Sequence, residues 1–158
     1  MTTARAPVGT DQRQLLAPLL QLLAPWLAAR RWYAAGAGPA HEPAQTLTPV
    51  TATVVRDGPP TLLHTVLRGG DDGPCHQLLL GLRPELPPRL KDAAVGRVPG
   101  GRWRGWTLYE ATEDAALMGV LLRHLAAGGG DGLRWRLVRR GGADPRPGQR
   151  PAPHGVAR

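Results

Sequence analysis

The sequence predicts an α+β domain, an antiparallel β-sheet packed on helices with the helices on one face. Three observations carry this. Strand-like runs near residues 50–55, 61–68 and 75–82 are joined by short Gly- and Pro-rich turns, which reads as a meander. A long apolar, helix-like segment precedes them and a second one follows near residue 120. Parallel βαβ winding would need a helix after nearly every strand, and the sequence offers none there. A chain of 158 residues is long enough to bury one core.

In order, residues 1–10 are small and polar and read as disordered. Asp11 is placed to cap a helix whose apolar positions run Leu15, Leu16, Leu19, Leu20, Leu22, Leu23, Trp26 and Leu27. The stripe is wide, so this helix expects contact on more than one side, as a sheet curling around it would supply. Pro18 and Pro25 each remove a backbone donor, which predicts a kinked helix or two short ones. Gly36 to Pro43 reads as a loop. Asp57-Gly58-Pro59-Pro60 and Gly69-Gly70-Asp71-Asp72-Gly73 are turns between the three strands. Leu86-Pro87-Pro88-Arg89-Leu90 breaks the pattern. Ala93 to Val98 is a short extended segment, Pro99 to Gly105 a loop, and Trp106 to Ala111 a strand. Asp114 to Ala127 is a helix ended by Gly128-Gly129-Gly130, and Leu133 to Val138 alternates as a half-buried strand. Gly141 onward is Pro, Arg and Gly without periodicity. The expected domain is therefore residues 11–139, with a disordered tail over 140–158.

Composition excludes several chemistries. The chain has no Ser, so a Ser-His-Asp triad is impossible, and no Asn, Phe or Ile. Its single cysteine, Cys75, cannot form an internal disulfide, which fits a reducing cytoplasm. Cys75 and His76 are neighbours on a strand and point to opposite faces, which is wrong for a nucleophile and its base. His64, Cys75 and His76 lack the spacing of a zinc site, and Asp71-Asp72 lack that of a calcium loop. Glu110, Glu113 and Asp114 cluster where they can cap a helix. No apolar run approaches the ~20 residues that span a membrane. The first residues lack the apolar core of a signal peptide. The net charge of +8 is concentrated partly in the tail. Arg30-Arg31-Trp32-Tyr33, Arg102-Trp103-Arg104-Gly105-Trp106 and Arg134-Trp135-Arg136 interleave arginine with aromatics. Such clusters suit single-stranded nucleic acid, the alternative reading, or anchor a protein interface, with Trp103 the first candidate from its loop position.

Arg31-Trp32-Tyr33-Ala34 resembles the Arg-Trp-(Phe or Tyr)-Ala signature near the start of bacterial maltokinases, which make maltose 1-phosphate from ATP and maltose. Leu80 to Leu90, with Leu86-Pro87, looks like the family's Gly-x-x-x-x-Leu-Pro segment, and Gly96-Arg97 fits the Ile-Gly that follows. Tyr109-Glu110-Ala111-Thr112-Glu113-Asp114 is similar to its Tyr-Asp-Ala-x-x-Asp-Pro. Leu121-Leu122 stands where the following helix has paired leucines, and Gly132 to Trp135 looks like the next strand. The likeness runs over residues 12–138 in the family's order. It departs at Ala35-Gly36 for Gly-Lys, at Glu110 for Asp and at Ala115 for Pro.

The resemblance implies the cystatin-like N-terminal cap of such a kinase, a bent antiparallel sheet wrapped on a helix. The kinase lobes do not follow. No Ser-Asn-Thr-Ser-like phosphate loop appears after residue 138, no Asn is available to hold magnesium, and Lys91, the sole lysine, has no ATP-lobe context. The implied role is a stand-alone or truncated cap in trehalose, maltose, glycogen and α-glucan metabolism. It would be non-catalytic by itself, with ATP and magnesium belonging only to the parent kinase. Its partner would be a sugar kinase or an α-glucan-metabolising enzyme in the cytoplasm. The motif or interface residues are Arg31, Trp32, Tyr33, Leu86, Pro87, Gly96, Trp103, Tyr109, Glu110 and Asp114, with no catalytic, cofactor or metal residue among them.

Overall fold

The structure, a computed structural model, describes residues 10–30, 33, 47–70, 72–130 and 133–134. Helix α1 (Thr10–Ala28) is followed by strands β1 (Leu47–Arg56), β2 (Thr61–Gly69) and β3 (Cys75–Arg83). A 3-10 turn (Pro88–Ala93) leads into β4 (Ala94–Arg97), and a second one (Gly101–Trp103) precedes β5 (Thr107–Glu110). A third (Ala111–Glu113) joins β5 to helix α2 (Ala115–Ala126), and β6 (Gly129–Gly130) pairs with β7 (Leu133–Arg134). The main sheet has five strands in the order β1-β2-β3-β5-β4, and every pairing in it is antiparallel. The fold is therefore α+β. Of the final strand expected over Leu133 to Val138, only β7 lies within the described residues, as do neither Trp32 nor the tail.

α1 departs from expectation. It is one helix, with Pro18 and Pro25 both inside it. Leu16, Leu19, Leu23 and Leu27 form an unbroken stripe, each fully buried. Burying a Leu side chain contributes about 1.5–3 kcal/mol, and an interior proline costs about 3 kcal/mol. Four leucines thus offset two prolines. Both prolines lie off the stripe, and the residues whose carbonyls they leave unpaired, Gln14 and Gln21, are exposed to water.

The sheet is covered on both faces, not on one. Residues alternate across a strand. Leu63, Leu67, Leu78, Leu80, Leu82 and Leu108 join the α1 stripe, together with Val98 and Trp103. Their neighbours Leu62 and Tyr109 belong to a second cluster with Leu90, Ala93, Ala111 and Leu117 of α2. The two helices therefore serve opposite faces. The sequence shows two apolar segments, but which face each takes depends on β-pairing across distant residues, which periodicity does not encode.

α1 is tied down at its start and pressed close to the sheet further along. Gln12 Nε2 donates to the Ala52 carbonyl at 2.9 Å. Towards its middle, Gly96 of β4 lets the helix approach, because a Cβ there would stand 3.0 Å from Leu22 Cδ2. α2 ends as the sequence predicts. Gly128 takes φ +79, a left-handed conformation that costs glycine little, and its N–H donates to the Leu125 carbonyl.

Candidate functional site

The end of β5 carries a buried polar junction. Tyr109 faces Gly81 of β3 in the sheet register, and Arg83 lies two residues further along the same face. A Cβ on Gly81 would fall 2.3 Å from Tyr109 Cζ, so the ring lies over a position only glycine can occupy. The ring then reaches Asp114, whose carboxylate is fully buried. Tyr109 O–H donates to Asp114 Oδ2 at 2.8 Å, and Arg83 Nη2 donates to the same oxygen at 2.7 Å. Arg83 Nε donates to Tyr109 Oη at 3.0 Å. The other carboxylate oxygen accepts from the Ala116 N–H at 3.1 Å, which makes Asp114 the N-cap of α2. Arg89 stands 3.9 Å away.

This geometry sets the ionisation. Burial opposes the charge on Asp114, but the hydrogen bonds from Arg83, Tyr109 and Ala116 outweigh it and hold the carboxyl below its ordinary value. Burial acts in the same way against Arg83, and its bonds to Asp114 and Tyr109 raise it nonetheless. Burial pushes the Tyr109 hydroxyl up to about 12; Arg83 opposes this and Asp114 adds to it. The junction is a neutral phenol between a fixed anion and a fixed cation. Such a group stabilises and orients, and it holds no proton ready to transfer near neutral pH.

Beside it runs a groove. Arg30, just past α1, lies over the Trp26 ring at 4.4 Å and 3.7 Å from Glu110. Both charged side chains are about one-third exposed, so the ion pair contributes little. One cleft of about 280 Å³ is lined by Trp26, Gln77, Leu78, Leu79, Leu80, Glu110 and Thr112. A second, of about 260 Å³, shares Glu110 and adds Arg30, Arg89, Asp92, Ala93 and Glu113. The Tyr33 ring lies 4.8 Å from His76 of β3.

The residues singled out from sequence separate into groups. Arg31 and Trp32 lie outside the described residues. Tyr33 is half-buried against β3. Leu86 packs on the second cluster, Pro87 opens the 3-10 turn at Pro88, and Gly96 sits under α1. Trp103 is 2% exposed and belongs to the first cluster, so it is not a surface anchor as its loop position suggested. The tight turn around it folds its side chain back beneath α1. Trp106 also packs on that cluster, and Arg102 is engaged by Asp57, so this Arg-Trp cluster offers no open stacking platform. Glu110 lies at the groove, while Tyr109 and Asp114 meet in the junction. Sequence reading missed Arg83 and Gly81, and it took Trp26 only as part of the apolar stripe of the first helix. The signal for the first two was present: Gly81 and Arg83 share one strand face two residues apart, but their opposition to Tyr109 needs the register. Among the described residues, no group of three His, Cys, Asp or Glu side chains could hold a metal ion, and no helix is long and apolar enough to cross a membrane.

Comparison with known families finds a match to the maltokinase N-terminal cap domain over residues 26–114, more than half of the chain. No curated protein and no solved structure matches. The matched span begins at Trp26 in the groove and ends at Asp114 in the junction. The Tyr-x-x-x-x-Asp spacing, noted first as a pattern, is thus a hydrogen bond in space. Ala115, where the family has Pro, is the first helical residue, a position where proline's missing N–H has no intrahelical role. The departure therefore leaves the helix start intact, because Asp114 still caps it.

Proposed function

This chain belongs to the maltokinase N-terminal cap domain family, and from that premise we propose that it is a non-catalytic packing or regulatory module for a sugar kinase. The parent reaction is transfer of phosphate from ATP to maltose, in trehalose, glycogen and α-glucan metabolism. The partner supplies the ATP and magnesium sites, and the pair works in the cytoplasm. One observation carries the reading. α2 starts where the family match stops, and its apolar side is not fully covered. Leu117 alone is fully buried, while Leu122 is 65% and Leu125 37% exposed. Two exposed leucines a helical turn apart form a docking stripe. The junction at Asp114 fixes the direction in which that stripe faces.

The test uses a maltokinase from which its own cap has been deleted, mixed with this full chain. The reading expects a complex on size-exclusion chromatography, lost in the Leu122→Glu/Leu125→Glu variant while circular dichroism is unchanged. Absence of a complex, or equal binding by the variant, would contradict it. The chain alone, given ATP, magnesium and radiolabel, is expected to leave maltose unphosphorylated.

A further inference from the structure

The Arg102-Trp103-Arg104-Gly105-Trp106 cluster divides its residue types between the inside and the outside of the domain. Trp103 and Trp106 pack on the first core cluster, so both rings anchor the β4–β5 loop. Backbone bonds close that loop: the Val98 N–H donates to the Trp106 carbonyl and the Gly105 N–H to the Val98 carbonyl, each at 2.9 Å. Gly101 makes the close approach to α1. It takes φ +71, and a Cβ there would stand 3.2 Å from Pro18 Cγ. Arg102 ties the loop to the β1–β2 turn through Asp57. On this pinned loop Arg97, Arg102 and Arg104 are all exposed. Arg97 Nη1 donates to the Gly105 carbonyl at 3.0 Å, which orients its guanidinium and leaves its charge uncompensated. Arg104 has no ionic partner among the described residues. From Ala93 to Tyr109 the chain carries three arginines and no acidic residue.

We propose that the β4–β5 loop docks an acidic segment of a partner protein, with Arg97 and Arg104 pairing with its carboxylates. A guanidinium presents a fork that matches a carboxylate, and a loop already pinned costs little further ordering. The charge is also one-sided. β1, β3 and β4 all end where this loop projects, and there Arg102 engages Asp57. At the opposite end of the sheet Glu110, Glu113 and Asp92 stand among Arg30 and Arg89, so charges of both signs mix. The chain itself is a poor occupant. Adjacent acidic residues occur in it only at Asp71-Asp72, in the connection at that opposite end, and at Glu113-Asp114, where Asp114 is buried in the junction. A second copy has the same net charge of +8 and is repelled. Single-stranded nucleic acid needs aromatic platforms, and both tryptophans here are turned into the core. The loop belongs to the α1 face of the sheet, so this inference does not rest on the α2 stripe.

The experiment uses the full chain and a short fluorescein-labelled oligoglutamate peptide, with its glutamine counterpart for comparison. Anisotropy at low salt is expected to show the glutamate peptide binding and the glutamine peptide not. Arg97→Gln with Arg104→Gln should weaken binding by about tenfold, the scale of two exposed ion pairs. Arg104→Gln alone, which breaks no bond seen within the domain, should weaken it by about threefold at an unchanged melting midpoint. Arg68→Gln with Lys91→Gln removes the same charge from exposed positions at the other end of the sheet. That variant should bind within about twofold of the parent, because distant exposed charges are screened. Equal weakening in the two double variants would reduce the effect to net charge and overturn the proposal. So would failure of the glutamate peptide to bind, or a single-stranded oligonucleotide of equal charge binding more tightly than the peptide. Self-association in sedimentation that Arg97→Gln with Arg104→Gln abolishes would give the surface to a second copy instead and overturn it too.

Discussion

α1 and α2 are attached to the same sheet by different physics. α1 is held by apolar burial along its whole length, with four fully buried leucines and α1-facing residues from β2, β3 and β5. α2 buries one leucine fully and is held chiefly at its start, where Asp114 joins its first turn to Tyr109 and Arg83. An apolar face tolerates polar accidents elsewhere, which is how α1 keeps two prolines. α2 has a smaller apolar reserve, Leu117 with the partly buried Met118, Val120 and Leu121, and so leans more on its one buried carboxylate. Its far half carries the exposed Leu122 and Leu125, the side chains that the proposed docking would use.

The contrast can be broken most severely from the α1 side. Leu19→Ala with Leu23→Ala should remove about 2–5 kcal/mol per site before coupling between neighbours. A domain of ordinary stability has about 5–15 kcal/mol in total. Cooperative thermal unfolding should therefore weaken severely or vanish in calorimetry. An intact transition within a few degrees of the parent would show that the stripe is not what holds the fold.

The second break is at the junction. Asp114→Ala leaves the half-buried Arg83 and the buried Tyr109 around a missing anion and removes the cap, at a cost of about 3 kcal/mol. Gly81→Ala attacks the same place from the strand side. Its new methyl group must displace the Tyr109 ring, and overpacking of that kind costs about 1–3 kcal/mol. Chemical denaturation of the two variants should rank them in that order.

Titration sharpens the comparison without mutation. The folded Asp114 carboxyl lies below its ordinary value of 3.8, so its contribution is complete above that pH and is lost as pH falls through the folded value. On the alkaline side, the Tyr109 hydroxyl is raised from 10.0 to about 12, so its contribution is full below 10.0 and fades between the two. α2 should therefore loosen at both extremes before α1 does, which circular dichroism and Trp fluorescence followed together can resolve. The smallest effect is expected at the tip of α2. Leu122→Ala should change stability by no more than about 0.5 kcal/mol, as at other exposed positions, because that side chain is 65% exposed.

How much of this was legible in the sequence differs between the two regions in the same way. The α1 stripe, the three long strands, the Gly128 stop and the Asp114 cap are local, and spacing alone reveals them. That Tyr109 and Asp114 touch is half-legible, since five residues through one 3-10 turn can bring them together. Arg83 and Gly81 were not legible, because they meet Tyr109 only through the register of β3 on β5. Trp103 misled for a related reason: a Gly-rich loop looks exposed until the turn closes and places its ring beneath α1. The assignment of each helix to its own face likewise rests on long-range pairing. Local chemistry thus specified the elements, and the sheet register specified the junction that gives α2 its direction.

The central claim is that one buried carboxylate fixes α2 to the sheet. Native-state hydrogen exchange on Asp114→Asn tests it most directly, because the side chain keeps its shape and loses its charge. The account predicts that amides from Met118 to Ala126 lose at least about tenfold protection, the scale of one charge-assisted hydrogen bond. Amides of α1 and of the β2–β3 pairing should stay within about twofold of the parent. Equal loss of protection in both helices, or unchanged protection in α2, would contradict it.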